Sequence, residues 1–338
     1  MAARPPSRAN LASLFVSAAR HYGGDGESSW HDNHGSVGHS GDEQRLRLVI
    51  VTVLFALLAA LSNAIHLMTQ HAASTDIPEK RKGLRLVVHL FKQPLWLLGW
   101  VAAAGGFAFQ AIALHNGALS IVQPLLVTEL VFALILRRFW IHQNVRQAAW
   151  VSGFVVLVAL ASFLTAANPS GGHPIPDKAE WASALLTFGG IVAGLTIAAT
   201  KKGSPVRRGF LYAAAASITW ALMATFIKAA VQTLTDHGLL GTLDHWPVYA
   251  LALSGIVGTV LQQAALQNGP LSVSQPVLIV VDPAVAIVLS VWLFDDKLTD
   301  SPVQIAIAIV SFIVMAIGVV ALSRTSPTDL YPPDHVRL

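Results

Sequence analysis

Hydrophobic residues along the chain fall into long blocks separated by short polar stretches. Nine blocks can be walked out: Leu48–Gln70, Pro94–Leu114, Ala118–Leu136, Gln147–Ala167, Trp181–Thr200, Gly209–Val231, Pro247–Gln267, Leu271–Phe294 and Pro302–Ser323. Each has roughly 20 residues, enough for a helix to cross a hydrocarbon layer about 30 Å thick. Val, Ile, Leu, Ala, Phe and Gly lie on every face of these helices, which places them in a buried core or in lipid. A soluble helical core would need charged outer faces, and the blocks lack them. The pattern therefore predicts an all-α polytopic membrane protein with nine transmembrane helices.

Composition narrows this further. Of 338 residues, 54% are hydrophobic and 12% charged, about half the charge of a soluble domain. That excludes an ordinary soluble enzyme, a disordered chain and a nucleic-acid binder. The chain has no cysteine, so disulfides, thiolate metal sites, iron–sulfur clusters and cysteine nucleophiles are excluded together. Only three charged residues, Glu129, Lys228 and Asp282, fall inside a block.

The remaining charges set an orientation. Basic residues gather in the loops 71–93 (Lys80, Arg81, Lys82, Arg85, Lys92), 137–146 (Arg137, Arg138, Arg146) and 201–208 (Lys201, Lys202, Arg207, Arg208), and in the C-terminal tail (Arg324, Arg337). The loops on the opposite side hold only Lys178 and Lys297. The positive-inside bias predicts a protein of the cytoplasmic membrane, N-terminus out and C-terminus in. The N-terminal segment, with Arg4, Arg8, Arg20, Arg45 and Arg47, runs against the bias.

Five regions follow. Residues 1–46 read as a disordered, His/Gly-rich tail; within it Leu11–Ala19 is too short to span, and His21, His31, His34 and His39 read as solvated rather than as a metal site. Residues 47–167 form a first transmembrane repeat, 168–208 a fifth helix with its loops, 209–324 a second, inverted repeat, and 325–338 a C-terminal tail.

The repeat is written in the residues. Residues 106–126 match 258–278 at a constant offset of 152 without a gap, with eleven of the 21 positions identical. Identities include Gln110 with Gln262, Asn116-Gly117 with Asn268-Gly269, Ser120 with Ser272, and Gln123-Pro124 with Gln275-Pro276. Hydrophobic composition alone would not reproduce these polar identities. The segments Phe55–Ala73 and Tyr212–Ala230 also align loosely. The copies join the second and third blocks to the seventh and eighth. Five helices separate each pair, and five is odd, so the copies enter the membrane from opposite sides. Such inverted-topology repeats underlie many secondary transporters; a symmetric structural protein is the alternative.

Within each copy Asn-Gly joins two helices, and glycine is expected to supply the positive φ of a tight turn. Gln-Pro follows about one turn into the next helix. Pro124, Pro276 and Pro283 each remove a backbone hydrogen bond and are expected to kink their helices. A carbonyl freed in this way within lipid must find a partner or line a cavity.

Glu129 lies near the middle of the third block and Asp282 near the middle of the eighth. The offset puts Glu129 opposite Val281, so the two acids are close in depth without being strict counterparts. A carboxylate at the bilayer centre costs at least about 2.5–3.5 kcal/mol on insertion scales. It is usually kept where it binds a cation, carries a proton or faces a cavity; a neutral acid bonded to a neighbouring helix is the simpler alternative. Lys228 is expected to snorkel to the interface, or else to act as counter-charge to Glu129 or Asp282. His66 and His71 read as structural groups. Gln110, Gln123, Gln262, Gln263 and Gln275 either glue helices together or coordinate a solute. Gly190 and Gly194, spaced for close helix contact, read as packing residues. Neither a P-loop, a zinc-protease helix nor a nucleophile elbow occurs, so an enzyme is not expected.

The repeated Gln-x-x-Ala-Leu-x-x-Gly-x-Leu-Ser-x-x-Gln-Pro runs, Thr128-Glu129-Leu130 and Val281-Asp282-Pro283 resemble the drug/metabolite transporter (EamA-like) superfamily. Within it the chain is most similar to the NIPA-like magnesium transporters and their bacterial relatives, over roughly residues 48–324. The resemblance implies two inverted repeats and alternating access around a central cavity. Superfamily members usually have ten helices, and the NIPA-like branch is usually read as nine. It also implies export of metabolites or drugs, movement of nucleotide sugars or, for that branch, of Mg²⁺. The residues leave the substrate open. Glu129 and Asp282 with glutamine oxygens would suit a partly hydrated Mg²⁺, and equally proton coupling to an organic solute, which Trp220 and Phe107 would favour if they line the path. The expectation is a secondary transporter with Glu129 and Asp282 as the substrate- or cation-binding pair and Gln110, Gln123, Gln262 and Gln275 along the path. It needs no cofactor, with Mg²⁺ or H⁺ as transported or coupling ion, and its partners are membrane lipid and a small solute. The rival is a proton-coupled metabolite exporter; from another class, a non-transporting membrane scaffold.

Overall fold

A computed structural model describes residues 37–75, 94–140, 142, 144–170 and 176–325. The N-terminal segment Leu11–Ala19 with His21, His31 and His34, the basic residues of the loop 76–93 and Arg337 lie outside the described residues. The chain divides into residues 1–51 and residues 52–338, and the packing below concerns the second unit.

Among the described residues the chain is all helical apart from a single bridge between Ser170 and Lys297. The helices are α1 (Val37–Thr75), α2 (Pro94–Asn116), α3 (Leu119–Leu126), α4 (Glu129–Phe139), α5 (Gln147–Ala167), α6 (Lys178–Thr200), α7 (Pro205–Thr242), α8 (Trp246–Asn268), α9 (Leu271–Phe294) and α10 (Pro302–Thr325). Among the described residues nine helical segments are long and apolar enough to cross a membrane, with α3 and α4 together making the third. Residues 37–46, expected in the tail, are helical.

Local chemistry explains several ends. Asp177 accepts from the Glu180 N–H at 2.7 Å while the Glu180 side chain accepts from the Asp177 N–H, a capping box that opens α6. Ser204 caps α7 just ahead of Pro205, whose missing N–H costs nothing in a first turn. Gly238 interrupts α7 with φ 70° and ψ −179°, a region open essentially to glycine, so the last turns after it form a separate short piece.

The third span and α7 are buried over most of their length, whereas the other spans are buried over a third of theirs or less. Leu119, Val122, Leu134, Ile227, Leu289 and Phe294 form part of one central cluster. Around it stands an apolar exterior, including Val101, Phe154, Leu186, Val260, Val303 and Ile317. Water would disfavour that surface, whereas acyl chains match it. Spans five and six, α6 and α7, pack together, as do α7 with α8 and α5 with α10. In the last pair, Gly318 sits where an added Cβ would fall 2.8 Å from Val156 Cγ2. Gly190 and Gly194, by contrast, have nothing within 4 Å of an added Cβ. The expected close packing at that pair does not occur within this chain; the face looks outward from α6.

The two Asn-Gly turns have closely matched backbones but not the expected ones. Ala118 (φ −67°, ψ 142°) and Pro270 (φ −67°, ψ 139°) precede α3 and α9 in the same conformation. Their carbonyls accept in the same register, from Ile121 and Val122 in one copy and from Val273 and Ser274 in the other. Gly269 has φ −138°, and among the described residues the only glycine with positive φ is Gly238. The glycines are required by close approach instead. A Cβ on Gly117 would overlap the Thr52 side chain, and one on Gly269 would overlap the Gly209 backbone. Thr52 and Gly209 each stand three residues before the loosely aligned segments that begin at Phe55 and Tyr212. Gly106 and Gly258 repeat the relation one step deeper, the first against Asn63 and the second against Trp220.

Candidate functional site

The third span changes its winding at its midpoint. Val127 donates to Pro124 O at 3.2 Å, Thr128 to Leu125 O at 3.0 Å, and Leu130 to Val127 O at 3.2 Å, all three residues apart. Such tightened turns inside a helix often mark functional sites. The Thr128 hydroxyl adds to the effect by donating to Leu125 O at 2.7 Å. That carbonyl would otherwise serve the Glu129 N–H, so the side chain competes with the regular ladder. Glu129 therefore begins α4 directly after a turn that advances about 20° per residue further than an α-helix does.

Glu129 is hydrogen-bonded by the Asn63 side chain of α1 and lies close enough to Asp282 of α9 for the two carboxylates to repel. The fold thus brings together the mid-span acids of the third and eighth spans. Both are half-buried. The Oδ1 atom of Asp282 is buried without a hydrogen-bond partner, as is Nε2 of Gln123, a residue only 3% exposed. Unsatisfied buried polar atoms are uncommon and call for an explanation such as an unplaced ligand or water. Among the described residues no group of three or more His, Asp or Glu converges to hold a metal ion; the acids stand as a pair.

The other expected path residues are distributed around α2, α7 and α8. Gln262 accepts from Trp220 Nε1 at 3.0 Å, so this glutamine is engaged by an aromatic donor of α7. Gln110 and Gln275 are half-buried, Gln263 is exposed, and Phe107 is on the exposed side of α2. Helix runs through Pro276 and Pro283 without interruption, while the change of winding in the third span follows three residues after Pro124. His66 Nδ1 donates to Gly99 O at 2.8 Å, as the structural reading expects. An apolar groove of about 280 Å³ lies elsewhere, lined by Phe163, Ala284, Ile287, Ala308 and Phe312. Ala284 is about 200° round the helix from Asp282, so this groove does not belong to the acid pair.

Lys228 corrects an expectation. It pairs with neither Glu129 nor Asp282. Its Nζ lies 3.9 Å from Asp296 Oδ1 and 4.2 Å from the centre of the Phe294 ring, with the side chain 11% exposed. Asp296 has a fully buried side chain. It accepts from Ser290 Oγ and, at 3.2 Å, from Ser120 Oγ, while Ser120 N donates to Ser290 Oγ at 3.1 Å. Sequence reasoning left Asp296 in a loop after the eighth block. The available signal was the adjacency of Asp295-Asp296 to an apolar run and the identity of Ser120 with Ser272 in the repeat.

The chain is 28% identical, over 282 residues, to an uncharacterized protein of Corynebacterium glutamicum, an alignment that covers 82% of this chain and 96% of that one. Searched against models of known families, the chain matches none. No solved structure matches it either.

Proposed function

We propose that this protein is a secondary transporter of the cytoplasmic membrane that moves a cation or a small solute by alternating access. The observation that carries the reading is the meeting of Glu129 and Asp282 at mid-span from the two repeat-related segments. Two membrane-embedded acids held within repulsive range are costly without a cation, a proton or a cationic group between them. The orphaned Asp282 Oδ1 and Gln123 Nε2 supply further unused bonding capacity in the same spans.

The matched backbones of Ala118 and Pro270, which follow the turn glycines, support a repeat in residues 47–167 and 209–324; the odd number of helices between the copies would make it inverted, and the basic loops support a cytoplasmic C-terminus. In this reading the chain is a member of the drug/metabolite transporter superfamily near its NIPA-like branch. Mg²⁺ suits a pair of carboxylates that leaves several waters on the ion. The engagement of Gln262 by Trp220 favours a second reading, a proton-coupled exporter of a small organic solute, because it puts an aromatic side chain beside a path glutamine.

Flux in proteoliposomes tests the site. Glu129→Gln and Asp282→Asn should each lower transport at least about tenfold, the scale of a charge removed from a binding pair. Unchanged flux in both variants would sink the assignment. Comparison of Mg²⁺ with a panel of metabolites, with and without a pH gradient, separates the two substrates. A scaffold protein would move none of them.

A further inference from the structure

We infer that the buried cluster of Lys228, Asp296, Ser290 and Ser120 is a closed gate, and that Ser272 with Arg138 and Asn144 forms its counterpart when the other end closes. The inference rests on the transport reading and extends it from the binding site to the two ends of the path.

The cluster joins the two repeat copies. Ser120 lies in the first turn of α3, in the first copy, while Lys228, Ser290 and Asp296 belong to the second. Backbone geometry aims the carboxylate. Asp295 takes the left-handed conformation (φ 50°, ψ 36°), and the Asp296 N–H returns to Ser290 O at 3.2 Å, so the chain folds back over the end of α9. Beyond it, Lys297 and Ser170 exchange backbone bonds of 3.0 and 2.9 Å, and the Thr299 N–H reaches Ala167 O. Asp296 is thereby held from both sides while its oxygens face Ser120 and Lys228. Trp181 stacks on Phe226 beside this end, Trp246 meets both rings edge-on, and Trp181 is also edge-on to Phe294, the ring under the cation.

A buried ion pair is weak evidence for a stability role, since well-packed apolar residues often do as well or better. The best-attested uses of such a pair are registration and switching. Here the pair sits where one copy is clipped to the other, at the end of the spans and away from the acid pair at mid-span.

The repeat offset then makes a specific statement about the opposite end. It carries Ser120 onto Ser272, Ser290 onto Arg138 and Asp296 onto Asn144. Arg138 Nη1 donates to Asn144 Oδ1 at 3.4 Å, which reproduces the Ser290–Asp296 bond six residues apart. Ser272, however, is exposed, whereas Ser120 is fully buried. One end has its serine inserted between the partners of the other copy, and the other end does not. Two repeats that exchange conformations would swap these arrangements, with Ser272 moving in beside Asn144 as Ser120 moves out from Asp296.

The absence of cysteine makes the test direct, since introduced thiols are the only ones present. In native membranes, Ser272→Cys with Asn144→Cys is exposed to a copper–phenanthroline oxidant, and the cross-linked fraction is read by electrophoretic mobility after protease cleavage between the two sites. With the gate intact, cross-linking should be slow. Adding Asp296→Asn should raise its rate at least tenfold, and adding Ser120→Ala, which keeps the ion pair, should raise it by a smaller factor. Ser120→Ala also keeps the test decisive if the Asp296 variant does not fold. Equal rates in every folded background overturn the proposal. The readout needs no substrate. A rise in cross-linking together with unchanged flux in Glu129→Gln and Asp282→Asn would uphold the gate and reject the binding site.

Discussion

The two copies of the repeated segment start alike and then part. α3 and α9 leave their Asn-Gly turns from the same backbone conformation and with the same first hydrogen bonds. Each meets a Gln-Pro one turn in. Eight positions beyond the serine they diverge: the first copy has Thr128 and tightens, while the second has Val280 and continues as helix through Pro283. At the tightened turn Thr128 donates its hydroxyl to the Leu125 carbonyl, a bond that valine cannot make. The acids sit on either side of that difference, Glu129 immediately after the tightened turn and Asp282 in unbroken helix.

The sharpest way to break the comparison is at the turn glycines. The three atoms nearest an added Cβ on Gly269 are all backbone, of Gly209 and Pro205, so a methyl there has no flexible side chain to displace first. Gly269→Ala should cost about 3 kcal/mol, the upper end of overpacking effects, or prevent folding. Gly117 abuts the Thr52 side chain instead. Gly117→Ala should cost about 1–3 kcal/mol, and Thr52→Ala in the same chain should recover much of it. Thermal denaturation of the purified variants in detergent checks both. If a side-chain truncation near Gly209 rescued Gly269→Ala, the backbone contact would not be the constraint.

A smaller contrast separates the paired serines. Ser120→Ala removes a buried bond to Asp296 and should destabilise by about 1–2 kcal/mol, within the range for a hydrogen bond to a charged group. Ser272→Ala removes an exposed hydroxyl and should stay within about 0.5 kcal/mol of the parent. Equal losses from both would mean that the two ends are in the same state.

Much of this architecture was legible in the residues. Crossing lipid demands a length and a composition that leave little freedom, so the fourth and eighth blocks coincide with α5 and α9 as helices. The mid-span acids were equally visible, because charged residues stand out against an apolar background. What was hidden depends on long-range pairing. Ser120 and Asp296 meet across 176 positions, and an acid just past the end of a span looks like any loop carboxylate. Lys228 was read by its depth alone, and depth cannot say which neighbour it faces. Glycine at the turns was correctly expected but for the wrong reason, since a tight turn and a close approach call for the same residue.

The finest distinction between the copies is also the most local. Thr128→Val gives the first copy the residue that the second copy has at Val280. Thr128 is 4% exposed, and its hydroxyl bonds only within its own turn, to Leu125 O. Valine fills nearly the same volume, and loss of one such local bond, offset by relief of the competition for a carbonyl, should change stability by less than about 1 kcal/mol. The consequence for geometry is larger than that energy. With Leu125 O released, the Glu129 N–H can take it, the regular winding returns, and the Glu129 side chain rotates away from its present bearing on Asn63 and Asp282. Transport in proteoliposomes should therefore fall several-fold while the melting temperature stays within a few degrees. Val280→Thr provides the reverse test, because a hydroxyl placed there could compete for the Val277 carbonyl, which already receives the Ser217 hydroxyl at 3.3 Å. A Thr128→Val protein with full flux would show that the tightened turn does not aim Glu129, and the difference between the copies would then be one of sequence without consequence for the site.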